Sequence, residues 1–107
     1  MRVYLEDVPE RYVFYLKSGK KVSNIKELAK ELDKMEDGIF YHHVTAQRND
    51  FHNWIRDIVL DIDLAEKILN AKTAKDAGKI VSERIKFIES QIKPLKKAKK
   101  PSVKKKR

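Results

Sequence analysis

The sequence predicts a mainly α-helical fold, at the margin of the α+β class, and three observations lead to this prediction. Apolar residues recur at helical spacing in several segments. The clearest stripe consists of Phe51, Trp54, Ile55, Ile58 and Val59. One aromatic and β-branched run beside a glycine favours a short N-terminal β-hairpin instead. We therefore expect a compact helical domain over residues 1–92, ending in a long helix, and a disordered lysine-rich tail over residues 93–107.

The N-terminal segment carries the hairpin signal. Residues 12–16 (YVFYL) favour extended backbone, and Ser18 and Gly19 supply turn chemistry before a second run at residues 20–22. An isolated hairpin is only marginally stable in water, so we expect it to pack on the helices.

A first helix is predicted to begin at Asn24, because Glu27 completes the spacing of a capping box. Its apolar stripe consists of Ile25, Leu28, Ala29, Leu32 and Met35. Residues 36–38 (EDG) are expected to end it. Residues 39–46 are compatible with a strand or a short helix, and the helical segments on both sides favour a helix.

Two more helices are predicted in the second half of the chain. Asn49 is expected to cap the helix that contains Trp54, which should end near Leu60. Asp63 is expected to cap the next helix, with Glu66 at the capping-box position. The apolar side of that helix consists of Leu64, Ala65, Ile68 and Leu69.

Thr73 and Asp76 repeat the capping pattern before a long last helix. Its stripe follows steps of four and three residues, close to a heptad repeat, and consists of Ala74, Ala77, Val81, Ile85, Ile88, Ile92 and Leu95. Ile80 and Phe87 widen this face, so we expect one side to dock on the domain and another to remain open. Pro94 is expected to end or kink the helix.

The net charge is concentrated at the C-terminal end. The chain has 25 Lys and Arg residues against 16 Asp and Glu, a net charge of +9. Nine of the 25 basic residues and no acid lie in residues 93–107, so the rest of the chain holds 16 of each sign and is neutral. The nine are Lys93, Lys96, Lys97, Lys99, Lys100, Lys104, Lys105, Lys106 and Arg107.

Such a tail predicts sequence-independent binding to DNA or RNA, because clustered lysines bind polyanions by releasing condensed counterions. Its spacers are alanine, proline and serine, without an aromatic side chain on which bases could stack. Its composition resembles the lysine-rich tails of linker histones and the extensions of ribosomal proteins. The alternatives are a solubility tail, a localisation signal, or contact of the tail with a membrane or an acidic protein.

The composition argues against several other classes of function. The chain has no cysteine, which excludes disulfides and cysteine-ligated zinc. Its histidines are His42, His43 and His52, and no pair has the i, i+4 spacing of helical metal ligands. Asp57, Asp61 and Asp63 are of a type that can hold magnesium, but Asp63 already serves as the expected cap. Without a glycine-rich phosphate loop or an activated nucleophile, we expect no enzyme, no cofactor and no metal.

No segment approaches the roughly 20 apolar residues of a membrane span, and the N-terminus lacks the apolar run of a signal peptide. We therefore expect no membrane partner and a cytoplasmic protein associated with the nucleoid or the ribosome.

A second candidate surface lies at the entrance to the Trp54 helix. Its polar residues are Arg48, Asn49, Asp50, Asn53 and Arg56. One interpretation is a recognition surface, with Arg48, Asn53 and Arg56 as contact residues. The favoured interpretation is structural, with Asn49 and Asp50 capping the helix and Arg56 paired with a nearby acid.

Several short motifs lie between residues 14 and 69. They are Phe14-x-Leu16-x-x-Gly19, Glu27-Leu28, Phe40-Tyr41-x-His43-Val44, Asn49-Asp50-Phe51-x-Asn53-Trp54-Ile55-x-Asp57 and Leu64-Ala65. Together they resemble a family of short, mostly archaeal and bacterial proteins of unknown function. The resemblance implies a compact, largely helical, soluble module and implies no activity.

The sequence therefore predicts a non-enzymatic nucleic-acid-associated protein, architectural or ribosome-linked, with the tail as its electrostatic anchor. The competing prediction is an interaction module that uses the last helix to form a homodimer or to bind a helical protein partner, with the tail incidental.

Overall fold

The computed structural model describes the backbone of residues 4–99 and the side chains of residues 4–91. It confirms a mainly α-helical fold with one antiparallel β-hairpin and a long C-terminal helix. After a 3-10 turn at Glu10–Tyr12, the elements are β1 (Phe14–Tyr15), β2 (Lys21–Val22), α1 (Ile25–Lys34), α2 (Asp37–His43), α3 (Asp50–Trp54) with a π-helical continuation (Ile55–Val59), α4 (Ile62–Ile68) and α5 (Ala74–Lys99).

The hairpin forms where it was predicted but with shorter strands. Phe14 lies opposite Val22 and Tyr15 opposite Lys21. Gly19 in the turn has φ 97°, a left-handed conformation that glycine adopts without steric cost. Phe14 and Val22 are buried, so one face of the hairpin contributes to the helical core as expected.

The capping box of α1 is confirmed. The Asn24 side chain accepts the Glu27 N–H at 2.8 Å, and the Glu27 carboxylate accepts the Ser23 N–H at 2.7 Å. The helix ends at Lys34, before the predicted terminator. Gly38, which we expected to help end α1, lies instead in the first turn of α2.

Residues 39–46, which were compatible with helix or strand, contain both kinds of backbone. They are helical through His43, and Val44 then forms an isolated antiparallel bridge with Asn49. The short loop between those two residues turns the chain into α3. The favoured prediction of a helix is therefore correct for the first part of this segment.

The apolar stripe around Trp54 forms the centre of the core. Phe51, Trp54, Ile55 and Val59 are buried, and Ile58 packs against them partly exposed. The Trp54 indole N–H donates to the Tyr12 carbonyl at 2.7 Å, so its polar atom is satisfied inside the fold. Trp54 is a core residue, as predicted.

The end of this helix departs from α geometry. The Leu60 N–H donates to the Ile55 carbonyl at 2.7 Å, an i to i−5 bond that defines the π-helical turn. Leu60 has φ 69°, a left-handed conformation that costs a non-glycine residue roughly 1–2 kcal/mol. The helix thus ends at the predicted position, with a sharp change of direction.

The predicted cap of α4 was wrong. The cap is Asp61, whose carboxylate accepts the Leu64 N–H at 3.2 Å, whereas Asp63 is an exposed residue of the first turn. Because the left-handed turn at Leu60 redirects the chain, α4 begins at Ile62 and the cap moves two residues towards the N-terminus. Leu69, predicted on the apolar side of α4, is at its C-cap and more than half exposed.

The capping box of α5 is confirmed, because Thr73 Oγ1 accepts the Asp76 N–H at 3.1 Å and the Asp76 carboxylate accepts the Lys72 N–H at 3.3 Å. Of the two outcomes predicted at Pro94, an end or a kink, the end is contradicted, because the helix runs to Lys99. A proline removes a single N–H donor from the helical ladder, and α5 extends across that missing bond. The tail was predicted to be disordered from residue 93; the backbone of residues 93–99 is helical instead, and residues 100–107 lie outside the described residues.

The apolar stripe of α5 packs mainly against α1, with α4 on another side. Val81 and Ile88 are buried and Ile85 is half-buried. Gly78 marks the closest approach, since a Cβ built there would lie 3.3 Å from the Cβ of Leu32. The buried part of the stripe is therefore covered within the chain, whereas Phe87, on the side expected to remain open, is 53% exposed. The side chains of Ile92 and Leu95 lie outside those described.

Among the described residues, no helix has the combination of length and apolarity that a membrane span requires.

Candidate nucleic-acid interface

The candidate recognition surface is built on a hydrogen-bonded network around His43. His43 is 5% exposed, and its Nε2 accepts the Lys17 backbone N–H at 3.0 Å. A backbone N–H can only donate, so the ring proton lies on Nδ1, which donates to Asp50 Oδ2 at 3.0 Å. The other oxygen of Asp50 lies 3.0 Å from Arg48 Nε. One carboxylate thus serves both the buried histidine and Arg48, and links the hairpin turn, α2 and α3.

Arg48 is engaged a second time. Its guanidinium also donates to the His42 carbonyl. These two interactions fix the side chain across the loop between α2 and α3, and the carboxylate of Asp50 offsets its charge. The helix entrance is therefore held together by the polar residues that the favoured structural interpretation named, with Asn49 accepting the His52 N–H at 3.0 Å as the cap.

Arg56 is paired with Asp57, as the structural interpretation predicted. Arg56 Nε lies 2.7 Å from Asp57 Oδ1, and Nη2 lies 2.9 Å from Oδ2. The hydrogen bond to Asp57 raises the pKa of Arg56, and the same bond lowers the pKa of Asp57. Both side chains are exposed, with relative areas of 47% and 55%.

Two of the three residues predicted as recognition contacts line one cleft. Arg48 and Asn53 line an open cleft of about 380 Å³, formed by the loop between α2 and α3 together with Leu69. Arg56 does not line this cleft, but its Nη1 lies 3.4 Å from Nε2 of His52, which does. Each of the two arginines is next to a carboxylate.

A buried ion pair between α4 and α5 was not predicted. Arg84 Nε and Nη2 lie 2.8 and 2.9 Å from the two oxygens of Asp61, which is 1% exposed. This hydrogen bonding raises the pKa of Arg84. The guanidinium also lies 5.4 Å from the ring centre of Phe87, which therefore has a role although it is half exposed. The partners are far apart in sequence, so no local motif could have identified them.

His43, His52 and several carboxylates make hydrogen bonds within the fold. His52 Nδ1 donates to the Ala65 carbonyl at 2.7 Å, and Asp61 holds Arg84. Within the described part of the chain, no group of three or more histidine or carboxylate side chains has the arrangement of a metal site.

The predicted basic tail begins on a helix. Positions 93, 96, 97 and 99 belong to the last turns of α5, whereas positions 100–107 lie outside the described residues. The first four of the nine predicted contact residues therefore follow the helical path of α5. Their side chains are not among those described.

Sequence reasoning missed a set of exposed lysines on the body of the domain. They are Lys26 and Lys30 on α1, and Lys75, Lys79 and Lys86 on α5. The net charge of residues 1–92 is zero, and a net charge does not show which lysines lie on the same face of a helix. Their recurrence at steps of four and seven residues was the available signal.

Fold and interface together define a small, mainly helical domain with a basic C-terminal extension. The chain belongs to the family of unknown function DUF5752, whose model matches residues 7–106. The match includes α5 and all but the last residue of the basic segment, and so extends well beyond the motifs between residues 14 and 69. A search of curated proteins and a search of solved structures each found no match.

Proposed function

We propose that this is a non-enzymatic nucleic-acid-associated protein, architectural or ribosome-linked, that binds DNA or RNA through residues 93–107 without sequence preference. The observation that carries the proposal is the distribution of charge. Nine basic residues and no acid lie in this segment, against an equal number of both signs in the rest of the chain. Long-range attraction to phosphate is therefore concentrated at one end of the molecule.

Two features of the described residues support an anchor at the end of the chain. Arg48 and Arg56, the competing candidates on the body, each lie beside a carboxylate. The helix α5 continues through position 99, so the first part of the basic segment follows a helical backbone that begins in the folded domain.

An interaction module built on the last helix remains the alternative prediction. Val81 and Ile88 of its apolar seam are buried within the chain, so the described apolar surface of α5 that a helical partner could contact is reduced to the side with Phe87, which is 53% exposed.

The proposal is tested by salt titration of binding to a random-sequence DNA duplex and to an RNA of the same length. Three full-length proteins are compared: the parent, a variant with all nine basic residues of 93–107 replaced by glutamine, and a variant with the order of residues 93–107 scrambled. Each neutralised phosphate contributes about −0.9 to the slope of log affinity against log salt, so the parent should show a slope of roughly −4 to −7.

The glutamine variant should lose most of this slope, and the scrambled variant should keep it, because binding depends on charge and not on order. A glutamine variant that binds as tightly as the parent, with the same slope, would show that the anchor lies elsewhere.

A further inference from the structure

We propose that the body of the domain adds a second, preformed phosphate-binding element, a lysine face made of Lys75, Lys79 and Lys86 on α5. Its partner is the sugar-phosphate backbone of a double-stranded nucleic acid. The inference rests on the proposed function. It extends that function by assigning part of the nucleic-acid binding to the folded domain and not to the tail alone.

The helical phase of these lysines places them on one face. An α-helix turns about 100° per residue, so Lys79 lies about 40° from Lys75, and Lys86 lies between the two. Positions 93 and 97 return to the same phase, and α5 is still helical there. The row from position 75 to position 97 is about 33 Å long at about 1.5 Å per residue.

This face lies beside the packed side of α5. The buried residues Ala77, Val81 and Ile88 lie more than about 90° around the helix from the lysine row, and Gly78, where α1 comes closest, lies about 60° from Lys75. Lys75, Lys79 and Lys86 are exposed, so they can meet a ligand without any change in the core.

The charges of the lysine face are not offset as those of the arginines are. Arg48, Arg56 and Arg84 each have a carboxylate within 3.0 Å. Among the described residues, the ion pairs within 4.0 Å do not include the three lysines of the face. The Nζ of Lys75 donates a 3.5 Å hydrogen bond to the carbonyl of Asp33, which carries no formal charge.

The nearest part of α1 extends the positive charge. Glu89 follows Lys86 by three residues on α5, and its carboxylate lies 3.4 Å from Lys26 Nζ on α1. This pairing offsets the charge of Glu89, whereas Glu83, four residues after Lys79 and three before Lys86, is an exposed acid on the other flank of the row. Lys30 lies about one turn beyond Lys26 along α1, towards Asp33, whose carbonyl accepts the hydrogen bond from Lys75. The face therefore has basic residues on two packed helices.

The dimensions suit a duplex. The three lysines span about 17 Å along α5 at about 1.5 Å per residue, half of the roughly 34 Å turn of B-form DNA, so a helix lying against the duplex can place its ammonium groups near several phosphates on one side. Point charges on flexible stems contact phosphate without reading bases, which agrees with binding that ignores sequence. Because α5 is already folded, binding through this face orders only the side chains.

The test compares two triple variants in the full-length protein. The face variant is Lys75→Gln, Lys79→Gln, Lys86→Gln. The control variant is Lys17→Gln, Lys20→Gln, Lys67→Gln, which removes the same charge from exposed positions on the hairpin turn and on α4. Binding to a random-sequence DNA duplex is measured against salt, and melting temperatures establish that each variant is folded.

The face variant should weaken the slope by about 2 to 3, because each phosphate that is no longer neutralised removes about 0.9, and the control should change it by less than about 0.5. The same triple substitution in the protein with the glutamine tail should remove the slope that remains there. Suppose that the glutamine-tail variant has lost most of its binding and that the face variant binds like the control variant. This result overturns the inference about the lysine face and leaves the proposed function intact.

The opposite result also distinguishes the inference about the lysine face from the proposed function of the tail. A glutamine tail without effect, together with a face variant that loses affinity, overturns the tail as anchor and supports the lysine face. A parent protein that does not bind duplex DNA at low salt overturns the inference, and one that binds neither DNA nor RNA overturns both.

Discussion

The buried pair of Arg84 and Asp61 gives the sharpest prediction about stability. Replacing Arg84 with methionine keeps most of the side-chain volume but leaves the carboxylate of Asp61, which is 1% exposed, without its counter-ion. Removing one partner of a buried pair typically costs about 3–5 kcal/mol. Asp61 keeps its hydrogen bond from the Leu64 N–H, and the side chain of Arg84 is itself 11% exposed, so we expect the lower end of this range, about 3 kcal/mol.

The chain offers a matched control for this prediction. Arg56 and Asp57 form the same two-bond geometry at the surface, where such a pair contributes about 0–1 kcal/mol. Arg56→Met should therefore change the free energy of unfolding, measured by urea titration, far less than Arg84→Met. Adding Asp61→Asn to Arg84→Met should recover part of the loss, because it removes the buried charge and keeps an oxygen for the cap. Equal effects of the two methionine variants would refute the assigned burial of Arg84 and Asp61.

Two further predictions concern packing. Trp54→Ala should cost about 3–5 kcal/mol, since it empties the centre of the core, and a melting temperature close to that of the parent would contradict the burial of Trp54. Gly38→Ala should stabilise the protein by up to about 1 kcal/mol, because nothing lies within 4 Å of the added methyl group. Gly78→Ala should give no such gain in urea unfolding, because its methyl group meets Leu32 at 3.3 Å, and a gain equal to that of Gly38→Ala would show that α1 and α5 are less closely packed.

Local chemistry explains which parts of the fold the sequence predicted. The caps at Asn24 and Thr73 depend on residues three positions away, and the apolar stripe around Trp54 depends on helical spacing alone. The cap of α4 could not be chosen in the same way, because Asp61 and Asp63 both have the right chemistry. The left-handed turn at Leu60 decides between them, and no residue near it in the sequence announces that turn.

The same distinction applies to the candidate interface. Arg56 was correctly assigned to a nearby acid because its partner is the next residue, whereas the partner of Arg84 lies next to another helix, 23 positions away. The spacing of the lysines on α5 can be read from the sequence. A total of charges, however, does not show whether the lysines lie on one face of the helix or are spread around it. Its position beside α1 requires the packing of the two helices.

The π-helical turn at Ile55–Val59 makes the length of this segment as important as its composition. Such a turn holds one residue more than the corresponding α-helical turn. Removing that residue would restore an α-helical turn over nearly the same rotation, and the bond from the Leu60 N–H to the Ile55 carbonyl would be lost. Asp61 follows Leu60 directly and binds both the Leu64 N–H and Arg84, so the cap of α4 and the buried ion pair both depend on where this turn ends. We therefore expect the segment to be more sensitive to the deletion of a residue than to substitution at an exposed position such as Asp57.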